Sequence, residues 1–161
     1  MTYSSPEVLS RAHVLDGFDC GTPALNDWLV RRAIANQTTG TSRTWVVTEE
    51  ADRRGVAYYA SSTASVLRGA ASKRMQRNQP EELPAILLAR LAVDLGHRRR
   101  GLGAVLLRHF MLKSIEVAAT VGVRLLLVHA KDAGARGFYE RYGFTESPMD
   151  SLTLMMLLPR E

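Results

Sequence analysis

Arg98-Arg99-Arg100-Gly101-Leu102-Gly103-Ala104 is a basic turn punctuated by glycine, and what flanks it decides the fold. Before it lies the apolar run Ile86-Leu87-Leu88-Ala89-Arg90-Leu91-Ala92-Val93, which reads as a buried strand. After it, Val105-Leu106-Leu107 opens a helical pattern that continues to about Thr120. A strand, a glycine turn and a helix start together make an anion site. The first amide hydrogens of a helix have no internal acceptor, and the macrodipole puts partial positive charge there. Gly101 and Gly103 let the backbone approach a phosphate with no Cβ in the way. Three arginines at the entrance add forked donors suited to phosphate oxygens. No Lys-Ser/Thr follows the second glycine, which excludes the Walker loop, and the third glycine of the dinucleotide fingerprint is missing. Taken alone, the stretch also reads as a plain glycine turn with solvated arginines.

Downstream, Leu102, Val105, Leu106, Leu112 and Ile115 supply a helical apolar stripe, with Gly122 as its stop. Val123 to His129 is a second apolar run, so strand, helix and strand imply a parallel pair with a right-handed crossover. A short helix is expected from Ala133 to Tyr142, capped by Asp132 and ended by Gly143, before a last strand from Leu152 to Leu158. Upstream, residues to Asp19 read as a short strand and loop. Thr22-Pro23 starts a helix that buries Leu25, Trp28, Leu29 and Ala33 and runs to about Asn36, followed by a polar loop from Gln37 to Arg43. Thr44–Thr48 and Val56–Val66 form a hairpin through Glu49–Gly55, with Tyr58 and Tyr59 on opposite faces. The charged, proline-bearing stretch Ser72–Pro84 reads as a mobile surface connection. The pattern is mixed α/β with a parallel central pair.

A chain of 161 residues, 46% apolar, suffices for one well-buried domain over 1–161. No apolar run approaches the ~20 residues that span a bilayer. The amino terminus lacks a basic-then-apolar signal pattern, so a cytoplasmic location is expected. Cys20, the single cysteine, reads as a packed turn residue rather than a nucleophile. His13, His97, His109 and His129 lack metal-ligand spacing, so no metal is expected, and His97 alone falls near the phosphate turn. The formal charge of +5 indicates affinity for polyanions without saying which. Arg31 and Arg32 lie beyond the apolar stripe of their helix and read as a solvated rim or as contacts to a polyanion. Lys73, Arg74 and Arg77 divide the same way.

Two blocks carry a family resemblance. Arg98-x-x-Gly101-x-Gly103 resembles the acyl-CoA pyrophosphate loop of the GNAT N-acetyltransferases, Gln/Arg-x-x-Gly-x-Gly/Ala. Phe138-Tyr139 followed by Gly143-Phe144 resembles the family's final helix, whose tyrosine is commonly the general acid toward the leaving thiolate. The wider chain resembles the GNAT toxins of bacterial type II toxin–antitoxin modules. Phe18, Cys20-Gly21, Leu25-x-x-Trp28-Leu29, Ala33-x-x-Asn36, Ser42-Arg43-Thr44, Tyr58-Tyr59, Arg90-Leu91-Ala92-Val93-Asp94 and Val128-His129-Ala130 carry it. Asn26 departs from the family's usual aspartate, a change of helix-surface charge that touches no expected chemistry.

The resemblance implies a GNAT fold, a mixed twisted sheet with splayed central parallel strands flanked by helices. It implies acetyl-CoA as donor, held by Arg98, Arg99, Arg100, Gly101, Leu102, Gly103 and Ala104, with Phe138 beside Tyr139. Amides around Leu91, Ala92 and Val93, at a break in the central strand, are expected to hold the pantetheine arm and polarise the carbonyl. It further implies acetylation of aminoacyl-tRNA, a homodimer, and silencing by a ribbon-helix-helix antitoxin. Arg31, Arg32, Lys73, Arg74, Arg77 and Arg90 are the candidates to meet the tRNA backbone. No Cys or Ser has an evident base partner, so direct attack by the amine is expected, with Tyr139 as acid. Asp94 reads as a turn cap or ion pair, with a general base as the alternative. Two other functions fit the residues: a GNAT enzyme for a small amine or protein lysine, and a basic nucleic-acid-binding module without catalysis.

Overall fold

The computed structural model describes residues 2–159, so the ends of the expected 1–161 domain lie outside the described residues. Seven strands form one sheet in the order β1-β2-β3-β4-β5-β7-β6. They are β1 (Glu7–Val8), β2 (Arg43–Glu49), β3 (Arg54–Leu67), β4 (Glu82–Val93), β5 (Leu125–His129), β6 (Thr145–Ser147) and β7 (Asp150–Leu157). The helices are α1 (Pro23–Arg31), α2 (Ala33–Thr38), α3 (Lys73–Gln76), α4 (Leu102–Ala118) and α5 (Ala133–Glu140). β4 and β5 are parallel from Ala85↔Leu125 to Leu88↔Val128, as the strand–helix–strand pattern requires. β4 runs on to Val93 with no interruption, so the expected break near Leu91–Val93 is not a break in the strand itself.

The chain divides into two compact units, Thr63–Leu88 with the residues from Met111 on, and the remainder up to Phe110. In the amino-terminal unit, Leu9, Phe18, Trp28, Leu29, Ala33, Val46, Tyr58 and Ala92 form one apolar cluster. In the other unit, Val66, Ala71, Met75, Leu83, Ala85, Leu125, Leu127 and Met155 form a second. Tyr58 and Tyr59 do point to opposite faces, and both are buried because both faces are covered. Each hydroxyl keeps a partner: Tyr58 donates to the Leu25 carbonyl at 2.8 Å, and Tyr59 pairs with His109 Nδ1 at 2.7 Å.

Five expectations are corrected. The first helix is broken at Arg32 (φ −120°), which turns α2 so that Ala33 is fully buried. The connection after β3 is not a featureless loop. Met75 on α3 is buried among Leu83, Ala85 and Leu125, and the Arg124 guanidinium donates to its carbonyl at 3.3 Å. Helix α4 starts at Leu102 and buries Leu102, Leu106, Leu107, Phe110 and Ser114, while Val105, Leu112 and Ile115 are exposed. The sequence offers apolar residues around most of this helix, so an apolar stripe can be drawn on either face, and packing selects one. The helix closes with Thr120 and Val121 donating to the Val117 carbonyl, and Gly122 has no left-handed φ. Finally, α5 stops at Glu140 rather than Tyr142, and the short polar strand β6 had no apolar pattern to announce it.

Candidate active site

In the amino-terminal unit, the glycine turn is tethered at the residues that lead into it. Asp94 follows β4 and caps the 3₁₀ turn Leu95–His97, accepting from Gly96 N–H at 2.9 Å. Its other oxygen accepts from the backbone N–H of Asp19 at 3.0 Å. Both oxygens are thus engaged in holding the turn, the cap reading of Asp94. His97 is buried beside the turn, its Nδ1 2.7 Å from Tyr3 Oη and its Nε2 3.1 Å from Glu49 Oε1. Both ring nitrogens are used inside the protein, which leaves no ring donor for a phosphate.

Arg98 behaves as a strut. Its Nη2 donates to the Cys20 carbonyl at 2.8 Å. The Asp19–Gly21 turn that offers this carbonyl is itself held by Asn26, whose Oδ1 accepts from Cys20 N–H at 2.8 Å and whose Nδ2 donates to Asp19 Oδ1 at 3.0 Å. Asn26 is therefore no bystander on a helix surface. An aspartate there could accept from Cys20 but could not donate to Asp19. The Gly21 N–H, the Asn26 amide and the Arg98 charge hold the Asp19 carboxyl below the usual carboxylate range. Gly21 adopts φ +88°, a backbone conformation that side-chain-bearing residues rarely take, so the turn's conformation calls for glycine, although a Cβ there would make only ordinary contacts, 3.4 Å from Leu95 and 3.5 Å from Arg98.

The turn then passes through two left-handed residues, Arg99 (φ +64°) and Gly101 (φ +77°). Left-handed backbone costs a non-glycine residue ~1–2 kcal/mol, and at Arg99 the tethers on Arg98 and His97 hold it in place. A Cβ built on Gly101 would meet nothing within 4 Å, so a side chain would project into open space in front of the turn. The Gly101 carbonyl accepts from Val105 N–H at 3.1 Å, and Leu102, Gly103 and Ala104 form the first turn of a 17-residue helix. Its unpaired amides and dipole face the turn, with Arg99 and Arg100 exposed beside them. These residues fit the pyrophosphate of an acyl-CoA: a bare glycine, a helix start and arginine forks in one turn. Ala92 is buried in the apolar cluster, while Leu91 and Val93 are partly buried on the alternate face of β4.

The second unit carries the tyrosine. Asp132 caps α5 by accepting from Ala135 N–H at 2.8 Å, and Gly143 (φ +99°) ends the turn after it, as the sequence predicts. Tyr139 is 7% exposed, and burial pushes its hydroxyl up to about 12. Its ring meets Phe138 and Phe144 edge-on at 5.3 and 5.9 Å between centroids. Among the described residues its hydroxyl makes no hydrogen bond. Phe138 is partly buried between Tyr139 and Tyr142.

The basic candidates divide by unit. Arg31 and Arg32 are exposed at the end of α1, and the Arg90 guanidinium sits over the Trp28 ring, its Cζ 4.2 Å from the centroid. In the second unit, Lys73, Arg74 and Arg77 are exposed, and Lys73 and Arg77 line a 450 Å³ concavity with Arg68, Gln76, Asn78 and Gln79. Among the described residues no cluster of three His, Cys, Asp or Glu suits a metal ion, and no helix is long and apolar enough to cross a membrane. Sequence reasoning missed Tyr3, Glu49, Asp19 and Asn26, whose partners are remote along the chain and leave no local signal.

A tethered glycine turn opening a long helix after a parallel strand, with a buried tyrosine on the short helix after the next strand, defines an acyl-CoA-dependent acyltransferase. Residues 40–146 match the acetyltransferase (GNAT) domain, and the chain belongs to that family. It is 42% identical over 156 residues to a tRNA-acetylating toxin of Mycobacterium tuberculosis (strain ATCC 25618 / H37Rv), covering 97% of this chain and 93% of the relative. Among solved structures it resembles a tyrosine-to-phenylalanine mutant of KacT, with a TM-score of 0.91, 27% identity, and 98% and 96% of the two chains covered. AtaT complexed with acetyl-methionyl-tRNAfMet follows, with a TM-score of 0.89, 26% identity, and 97% and 95% covered.

Proposed function

We propose that this chain is a toxin that transfers the acetyl group of acetyl-CoA to the α-amine of aminoacyl-tRNA, so that the blocked aminoacyl group stalls translation. The observation that carries this is the identity to a tRNA-acetylating toxin across almost the whole chain. When bound, acetyl-CoA supplies a thioester carbonyl and a sulfur leaving group. Arg99, Arg100 and the amides after Gly101 hold its pyrophosphate, and amides near Leu91 and Val93 hold the pantetheine arm. Tyr139 keeps its proton on the hydroxyl at physiological pH and gives it to the sulfur as the C–S bond breaks and the C–N bond forms. The proton lost by the attacking nitrogen passes to water, and Tyr139 recovers its own from water.

The missing base favours this acceptor. At pH 7.5 an α-amine of pKa ~8 is roughly one-quarter neutral, whereas a lysine side chain of pKa ~10.4 is about 0.1% neutral. An acceptor of the first kind needs no base; one of the second kind does. The chain's charge of +5 suits a phosphate-bearing acceptor. Beyond the reaction, a homodimer silenced by a ribbon-helix-helix antitoxin, acting in the cytoplasm from a single domain, completes the proposal on the toxin resemblance.

The test uses purified chain and radiolabelled acetyl-CoA. Label should enter charged tRNA but not deacylated tRNA, and the rate should fall steeply between ~50 and ~200 mM salt. Equal labelling of free amino acids or polyamines with little salt dependence would replace this reading with a small-amine acetyltransferase.

A further inference from the structure

The amino-terminal unit holds a charge that its own fold leaves unmet. Arg90 is partly buried, yet among the described residues its guanidinium forms no hydrogen bond or ion pair; it lies over the Trp28 ring, near the Tyr58 hydroxyl whose charge it would favour. That ring cannot yield. Trp28 is 8% exposed and stacks on Tyr58 at 6.1 Å and 12°, Phe18 meets Tyr58 edge-on at 5.6 Å, and Tyr58 Oη is bonded to the Leu25 carbonyl. A cation stacked on a rigid aromatic column keeps its position while its N–H donors stay available at the edge. Partial burial strips water from it, and the stack returns only part of that cost, so an anion there would be held strongly.

Two more arginines stand at the end of the helix that carries Trp28, beside the exposed Asp27. Arg31 and Arg32 follow Trp28 by three and four residues, one helical turn on, and neither has an ion-pair partner among the described residues. The proposed seat of the cofactor phosphates is elsewhere, at the glycine turn. We propose that Arg90, fixed by Trp28, is an anion subsite that takes two oxygens of one phosphodiester of the nucleic-acid acceptor, with Arg31 and Arg32 extending the track. This rests on the proposed acceptor. A phosphate of the cofactor is the other source of the same chemistry, and the test separates them.

The experiment measures binding of fluorescent tRNA by anisotropy across a salt series and binding of acetyl-CoA by calorimetry, for wild type, Arg90→Gln, Arg90→Lys and Trp28→Phe. Arg90→Gln should weaken tRNA binding at least tenfold and lower the salt slope by ~0.7, the loss of one phosphate contact on a single strand. Its acetyl-CoA affinity should stay within twofold of wild type, which also reports an intact fold. Arg90→Lys should restore the salt slope but only part of the affinity, since a point charge replaces a fork. Trp28→Phe, with a smaller platform, should fall between. A purely structural Arg90 would change melting temperature and leave the slope alone, and that result overturns the proposal. A parallel loss of acetyl-CoA affinity also overturns it, by assigning the anion to the cofactor. If wild type binds tRNA with this slope yet acetylates none, the acceptor reading fails while the subsite stands. If it binds no tRNA, both fail.

Discussion

Replacing Tyr139 by phenylalanine separates chemistry from packing more cleanly than any other change. The ring is 7% exposed and packs edge-on against Phe138 and Phe144, and the substitution leaves these contacts in place. Because the hydroxyl bonds to none of the described residues, its removal orphans no partner, and stability should stay within ~0.5 kcal/mol of wild type. Truncation to alanine would instead open a cavity costing ~3–5 kcal/mol and confuse the two effects. The effect on rate follows from the proton. Burial holds the hydroxyl near 12, while an ordinary thiol titrates near ~8.5, so full transfer to a free thiolate is uphill by ~5 kcal/mol. The proton must therefore move as the C–S bond breaks, when the sulfur is gaining charge without yet being a solvated thiolate. Losing that assistance should lower kcat by ~10²–10⁴-fold with KM for acetyl-CoA within twofold. The pH profile adds a second check. An acid shifted up stays protonated, so wild-type kcat/KM should rise with deprotonation of the acceptor amine near ~8 and show no fall below pH ~10. More than a third of wild-type activity in the phenylalanine variant would refute the acid assignment. So would a wild-type alkaline limb well below pH ~10 that the variant lacks.

Two further outcomes are expected. Gly101→Val should weaken acetyl-CoA binding at least tenfold, or ~1.4 kcal/mol, because a branched side chain fills the open space before the turn and resists φ +77°; unchanged affinity in calorimetry, with the fold intact by circular dichroism, would move the pyrophosphate elsewhere. Burial raises Tyr58, Tyr59 and Tyr139 above their ordinary 10, so the folded state holds protons that the unfolded chain releases above pH ~10. Their contribution to stability is complete below that pH and is lost above it, so the melting temperature should hold level from pH 7 to 9 and drop steeply beyond ~10; a level value to pH 11.5 in scanning calorimetry would contradict the burial argument.

Sequence alone determined what neighbouring residues can settle. The apolar run, glycine turn and helix start around Gly101, the parallel strands β4 and β5, the Asp132 cap and the Gly143 stop are all as read, since each depends on groups within a few residues. The two motif blocks carried the family and its chemistry for the same reason. Tertiary structure alone decided what remote partners do. Helix α4 could present either apolar face, and only packing buried Leu106 and Phe110 while leaving Leu112 out. Met75 shows the same selection in a stretch whose charges predict a loop. The tethers of the glycine turn join residues 75, 78 and 94 positions apart: Asp19 to Asp94, Cys20 to Arg98 and Tyr3 to His97. Periodicity records which way a residue faces along its own element. It holds no trace of the distant carbonyl or ring that completes the contact, because that pairing exists only once the chain has closed on itself.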